Sequence, residues 1–197
     1  NYTYDSRYML TATIRRDGSS RFSASNRWGI FPAFSVGLRL SELEFMKKIS
    51  LINEFKVRAG WGKTGNQLIP NVYNAYTLYA PDPINNAYDI NGTGSTIVGG
   101  FDLVQFGNSN GKWETNTSTN IGFDAVILKN SLEIVFDWYN RLTSDMLTQI
   151  SPPRTAGSGT VPFTNIGEIR NRGIDLGLNY RNEIGKLRYQ LGVNFEN

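Results

Sequence analysis

The sequence predicts an all-β chain: an antiparallel up-and-down transmembrane β-barrel segment, about nine strands of a larger barrel. Three observations predict it. Apolar residues alternate with polar or small ones through most of the chain. The alternating runs extend over about 9–11 residues, enough to cross a bilayer on a tilt, whereas soluble strands average about 5–6. The connections between runs are tight at one end and long at the other, as in outer-membrane barrels.

The strands follow in order. From Tyr8 to Arg15 the apolar set is Tyr8, Leu10, Ala12 and Ile14. From Ala33 to Leu40 it is Phe34, Val36, Leu38 and Leu40. From Phe55 to Gly62 it is Phe55, Val57, Ala59 and Trp61. The second half repeats the period of two over 119–127, 132–139, 174–181 and 187–195. Two weaker strands are expected near Val72–Tyr79 and Thr96–Phe106.

Register follows from the same pattern. A two-residue hairpin loop at Lys129-Asn130 sets Ile127 against Leu132, Ala125 against Ile134, Phe123 against Phe136 and Ile121 against Trp138. A one-residue slip would set that apolar face against Asp137 and Glu133. A second hairpin turning over Asn182–Gly185 is expected to pair Leu178 with Tyr189, Leu176 with Leu191 and Ile174 with Val193.

The long connections are Asp17–Arg27 and Ser144–Gly167, rich in Gly, Ser, Pro and Asn. Up-down order places two further stretches, Ser41–Asn53 and Pro81–Ser95, on the short-turn side, where they are too long for the rule. Leu43, Met46 and Ile49 recur every third residue in the first, which permits one short helix. No pattern assigns an element to the second.

Composition narrows the chemistry. The 197 residues contain no Cys and no His, which removes disulfides, thiolate catalysis, the commonest metal ligand and the commonest general base. A net charge of +3 with no basic run beyond Arg15–Arg16 and Lys47–Lys48 gives no reason to expect nucleic acid. No stretch approaches the roughly 20 apolar residues of a membrane-spanning helix. A mean hydropathy of −0.34 is compatible with a barrel, because only every second residue meets lipid. A soluble sandwich alternates too. Strand length, aromatic residues near strand ends (Trp28 and Phe31, Trp61, Trp138 and Tyr139, Tyr180) and a polar second face favour the barrel.

Several segments carry a family resemblance. Asp5-Ser6-Arg7-Tyr8-Met9-Leu10-Thr11-Ala12, followed by Arg15-Arg16-Asp17-Gly18-Ser19-Ser20-Arg21-Phe22, resembles the SusC/RagA family of TonB-linked outer-membrane proteins. So do Asn26–Ser35, Lys56–Gln67, Lys112-Trp113-Glu114-Thr115, Phe136–Leu147 and Asn165–Asp175, in the family's order. The resemblance implies a bacterial outer-membrane location and a large barrel with an N-terminal plug and a TonB-contacting segment. It also implies a SusD-like lipoprotein lid and import of oligosaccharides or peptides. Residues 1–197 are then expected to be a partial barrel domain, truncated at both ends and without the plug. Cut out alone, such strands leave two open edges, and aggregation in isolation is the expectation.

Candidate lumen-facing residues are Arg15, Arg39, Lys56, Arg58, Asp124, Asp137, Asp175 and Arg181. Substrate contact or plug docking is one role for them; a solvated, charge-balanced inner wall is the plainer one. Candidate loop aromatics for stacking on sugar rings are Trp28, Tyr88, Trp113 and Phe163, although Lys112-Trp113-Glu114 suits a strand entry better. No catalytic residue, cofactor site or metal site is assigned. Gly62-Lys63-Thr64 lacks the glycine five residues earlier that a phosphate-binding loop needs, Val57 standing there. Asp124 and Asp137 sit diagonally on one hairpin face, which suits structural pairing better than glycoside hydrolysis. Asp82, Asn85, Asp89 and Asn91 do not match a calcium-loop spacing. Three Asn-X-Ser/Thr sequons, at Asn1, Asn91 and Asn116, match by a pattern common by chance. The chain therefore reads as transporter wall and not as an enzyme. A passive porin-like channel and a soluble glycan-binding β-sandwich are the competing readings.

Overall fold

The structure is a computed structural model, which describes residues 1–89, 91–94, 97–151, 153, 155, 157 and 159–197. Its body is one antiparallel sheet. The strands are β1 (Tyr2–Tyr4), β2 (Tyr8–Gly18), β3 (Trp28–Arg39), β4 (Ile52–Asn66), β9 (Glu114–Ile127), β10 (Leu132–Ser144), β13 (Glu168–Ile184) and β14 (Leu187–Glu196). Pairing runs in that order with β1 and β14 at the edges, so the eight strands form an open, up-and-down wall. From β2 onward they are 10 to 17 residues long, sufficient to span a bilayer.

Three small ribbons lie outside the wall: β5 (Leu78–Asp82) with β8 (Gly100–Gln105), β6 (Tyr88–Asp89) with β7 (Ile97–Val98), and β11 (Leu147–Gln149) with β12 (Phe163–Asn165). The two weak strands expected near Val72–Tyr79 and Thr96–Phe106 are therefore not wall strands. Residues 71–77 are mostly turn, β5 begins at Leu78, and Thr96 lies outside the described residues. Both segments belong to a single excursion between β4 and β9, which pair directly with each other. One of the two removed crossings precedes Pro81 and the other follows Ser95. The stretch starting at Pro81 moves from the short-turn end to the loop end, and its length no longer breaks the rule.

Three long connections now share one end: 19–27, 67–113 and 145–167. The opposite end holds the turns at 5–7, 128–131 and 185–186 and the connection from Leu40 to Leu51. In that connection the expected short helix reduces to a 3-10 turn, Leu40–Glu42, followed by overlapping turns. Leu43, Met46, Ile49 and Ile52 donate back to Leu40, Leu43, Met46 and Ile49 in succession. A spacing of three fits a chain of such turns as well as it fits an α-helix.

The Lys129-Asn130 hairpin has the register the pattern demands, Ile127 to Leu132 through Ile121 to Trp138. Both turn residues hold positive φ, 57° and 68°, as a type I′ turn requires. The last hairpin differs from expectation. Leu178 faces Val193 and Leu176 faces Phe195, four residues away from the expected partners. The turn is Gly185-Lys186, between Ile184 and Leu187, with Gly185 at φ 62°. An even shift leaves every side chain on its own face, so alternation cannot distinguish the two registers. The glycine that accepts positive φ decides it.

A single-layer sheet has no interior. Among the described residues only Phe22, Phe31, Ile69, Trp113 and Ala125 are buried apolar side chains. Four of them, Phe22, Phe31, Ile69 and Trp113, form one cluster at the loop end. The wall's apolar face stays open, with Ile14 75% and Leu191 63% exposed. Exposure of this kind along a spanning strand is what a hydrocarbon surround, not water, makes favourable.

Candidate functional site

Residues paired directly across an antiparallel ladder share a face. One such row runs Met9, Gly37, Arg58, Gly122, Asp137, Asp175 and Glu196 across β2, β3, β4, β9, β10, β13 and β14. Counting by twos from that row puts Arg15, Arg39, Lys56, Asp124 and Arg181 on the same side. All eight charged candidates therefore occupy one face. The other face carries Leu10, Val36, Ala59, Ile121, Trp138, Ile174 and Val193.

The polar face is built from ion pairs across strands. Arg58 on β4 reaches Asp137 on β10 at 2.6 Å, although β9 lies between them. The residue facing both from β9 is Gly122, and a Cβ there would collide with the Asp137 carboxylate. A bare backbone at Gly122 lets two side chains from non-adjacent strands meet above it. Arg58 also lies 3.2 Å from Asp124, which is 3.9 Å from Lys56. Near the turn end Arg181 pairs with Glu133 at 3.2 Å and Arg39 with Glu54 at 3.5 Å. Near the loop end Arg15 pairs with Asp17 at 2.8 Å. Asp175 faces Asp137 directly, and one buried carboxylate oxygen of each has no partner among the described residues. A shallow groove of about 390 Å³ runs beside the Arg58–Asp137 pair, floored by Thr11, Ser35, Gly37, Gly60 and Asn120.

The four aromatic candidates have four different settings. Trp113 is buried with its ring 5.6 Å from Phe22 and 5.4 Å from Phe31, and its indole N–H donates to the Arg27 carbonyl. Its faces are occupied, so it is a core residue and unavailable for stacking on a sugar. Phe163 is half-buried against the same cluster. Trp28 lies on the apolar wall face, 55% exposed, with the Arg16 guanidinium 4.4 Å above its ring. Only Tyr88, on β6, stands exposed in a loop ribbon.

The Lys112-Trp113-Glu114 segment ties the loops to the wall. Glu114 accepts from Asn66 at 3.1 Å and from the Leu147 backbone N–H at 3.0 Å. The Asn165 amide accepts from the Lys112 N–H and donates to the Lys112 and Asp145 carbonyls, each at 2.8 Å. Asn74, fully buried, does the same for Phe163, accepting at 2.7 Å and donating at 3.0 Å. Gln105 donates to the Tyr73 and Tyr76 carbonyls and accepts from Asn71. These side-chain amides stand in for ladder partners where the chain is irregular. Sequence reasoning did not single them out; the only signal was the density of Asn in the long connections.

In the 67–113 excursion, the Asp82 carboxylate accepts from Ile84 and Asn85, and Asp89 accepts from Asn91 and Gly94. Hydrogen bonds, first from Asn85 and first from Gly94 respectively, hold both carboxyls below the ordinary value of 3.8. Both acids are turned onto their own turns. The described residues contain no group of three or more acidic side chains arranged to hold a metal.

A sheet of spanning strands, apolar on one face and ion-paired on the other, with loops gathered at one end, defines an outer-membrane β-barrel wall. Residues 1–197 match the model of the TonB dependent receptor-like β-barrel, and the chain belongs to that family. It is 36% identical over 179 residues to the TonB-dependent receptor SusC of Bacteroides thetaiotaomicron, covering 91% of this chain and 17% of SusC. It is 37% identical over 177 residues to the TonB-dependent receptor P39 of Formosa agariphila, covering 90% of this chain and 16% of that receptor. The RagAB peptide importer in its closed-closed state superposes over 100% of the chain and 20% of the importer chain, at TM-score 0.83 and 26% identity. The chain thus spans about a sixth of the curated relatives it matches. The family is one of receptors and transporters of the bacterial outer membrane.

Proposed function

We propose that residues 1–197 form part of the wall of an active outer-membrane importer, with the ion-paired face lining the lumen. The observation that carries this reading is the partition of charge. Every lumen candidate shares one face, and seven of the eight lie within 4 Å of an opposite charge on that face. A lumen wall must be wettable and must not trap cargo by an unbalanced field. The remaining strands and the plug would lie elsewhere in the protein, which the short span relative to the curated relatives supports. The RagAB match at 0.83 and the SusC match at 36% support import of peptides or oligosaccharides with a SusD-like lipoprotein lid and TonB. The segment itself supplies wall and loop surface, and no catalysis.

Uptake by the full-length protein tests this. Cells expressing it are supplied with a labelled oligosaccharide pool and a labelled peptide pool, with TonB present or deleted. Uptake of one pool that vanishes without TonB supports active import and names the substrate class. Uptake that persists without TonB makes the wall that of a passive channel.

A further inference from the structure

The two faces of the wall treat their cations differently. On the polar face six of the seven strand cations, Arg15, Arg39, Lys56, Arg58, Arg181 and Arg188, lie within 4 Å of a carboxylate, and the seventh, Arg141, lies 5.2 Å from the Tyr139 ring. The apolar face carries four cations in its strands: Arg16, Lys63, Arg170 and Arg172. None of these four has a carboxylate within 4 Å among the described residues.

All four sit at the loop end. Lys63, Thr117, Leu142 and Arg170 form one cross-strand row, and Trp61, Thr119, Asn140 and Arg172 form the next. At about 4.8 Å per strand, Lys63 and Arg170 stand about 14 Å apart with a threonine hydroxyl between them. Arg16 stacks on Trp28 at 4.4 Å, and the Lys63 ammonium lies 5.8 Å from the Trp61 ring. The only carboxylate on this face of the strands is Glu168, at the outermost position of β13. The turn end of the same face has Tyr2, Tyr4, Tyr8, Tyr180 and Tyr189 and no cation.

A cation on a lipid-facing surface is tolerated near the interface, where its stem covers apolar wall and its head reaches polar ground. Here the one wall carboxylate on that face among the described residues, Glu168, forms no ion pair with any of the four. The neighbouring molecules that supply counter-charge at that height are lipid headgroups. We propose that Lys63, Arg170 and Arg172, with Arg16 beside them and the hydroxyls of Thr117 and Thr119 between, bind the phosphorylated headgroup of the lipid in the loop-side leaflet. This rests on the outer-membrane barrel reading above, though not on TonB or on any substrate. It makes the two ends of the apolar face chemically distinct: a phosphate-binding rim on the loop side and a tyrosine rim on the turn side.

The test uses the full-length protein purified in detergent from the outer-membrane fraction. It is titrated with diphosphorylated lipid A and with the same lipid dephosphorylated, and bound lipid is counted by native mass spectrometry. Each interfacial cation is worth about fivefold in affinity for an anionic surface. The wild-type protein is expected to prefer the phosphorylated form by tens of fold. The triple variant Lys63→Gln, Arg170→Gln, Arg172→Gln is expected to lose that preference, and the charge-conserving Lys63→Arg, Arg170→Lys, Arg172→Lys to keep it. Lys129→Gln with Lys186→Gln, at the turn end, should change nothing. Equal binding of both lipids by the wild type, or a preference that survives the triple variant, overturns the proposal without needing any variant to fold better than another. The barrel reading is scored separately by heat-modifiable gel mobility. A heat-modifiable protein without lipid preference refutes the headgroup site alone, whereas loss of heat modifiability in the wild type refutes both.

Discussion

The wall and the loop-end cap are stabilised by opposite means. The wall is a continuous ladder whose apolar side chains remain open, so covering them falls to lipid. The cap is irregular in backbone but owns a buried cluster, Phe22, Phe31, Ile69 and Trp113, drawn from two separate connections and the adjoining end of β3. The difference teaches where a local change is felt. Apolar substitutions on the wall face trade one lipid contact for another. Substitutions in the cap open a cavity that lipid cannot fill.

The sharpest way to break that contrast is Trp113→Ala. Truncating a buried tryptophan costs about 3–5 kcal/mol and also frees the Arg27 carbonyl. Loops 19–27, 67–113 and 145–167 should become protease-sensitive together, while unheated gel mobility still reports a closed barrel. Val36→Ala, 47% exposed on the apolar face, serves as the control and should leave all three loops protected. Equal sensitivity in both variants would mean that cap and wall do not separate.

Asn74→Leu asks whether the cap depends on polar pins as well as on its apolar cluster. The substitution strands the Phe163 N–H, while its carbonyl retains Asn108 at 2.9 Å. The expected cost is about 1–3 kcal/mol. Hydrogen exchange at β11 and β12 should accelerate, with exchange in β9 and β10 unchanged. No acceleration would show that the side-chain amide is dispensable.

On the wall, Arg58→Ala leaves the diagonal pair Asp124 and Asp137 without their shared cation. The three side chains are 20–34% exposed, which places the loss between that of surface and buried pairs, about 1–2 kcal/mol. The urea midpoint of the full-length barrel should fall, and Arg58→Lys should recover part of it. Gly122→Val is expected to lower the midpoint further than Arg58→Ala, because its side chain would displace the Asp137 carboxylate and press on the Phe136 carbonyl. A midpoint unmoved by Gly122→Val would sink the account of that glycine as the gap through which the pair meets.

What the sequence made legible follows the same division. Period-two alternation located all seven long strands of the wall and the face of every charged candidate, because each side chain's direction is a local property of the strand. It could not see the Arg58–Asp137 pair, which depends on which strands become neighbours. It misplaced the last hairpin by four residues because even shifts preserve faces. It also counted two loop ribbons as crossings, since a short ribbon strand in an excursion alternates much as a short wall strand does. The cap was least visible. Phe22, Ile69 and Asn74 lie in non-repeating segments, and what joins them is long-range contact. Trp113 read as a strand-entry residue with sugar stacking as the alternative, and its burial was hidden because its partners come from residues 22 and 31.

The smallest expected effect sharpens the contrast within the cap itself. Asp82 and Asp89 are partly exposed, and each is the acceptor that organises one turn of the β5–β8 excursion. Backbone donors favour their charged forms, so the folded values lie below the unfolded 3.8. The sign follows by linkage. Groups with depressed folded values stabilise the turns fully above 3.8, and that contribution disappears as pH falls through the folded values. Exchange protection of the Asn85, Asn91 and Gly94 amides, corrected for intrinsic pH dependence, should therefore hold steady down to about pH 4 and drop below it. Protection at the Phe163 amide, held by the uncharged Asn74, should show no such step. Asp82→Asn and Asp89→Asn should each abolish the step in their own turn alone. A step of equal size at Phe163 would mean that the excursion and the buried cluster open as one unit.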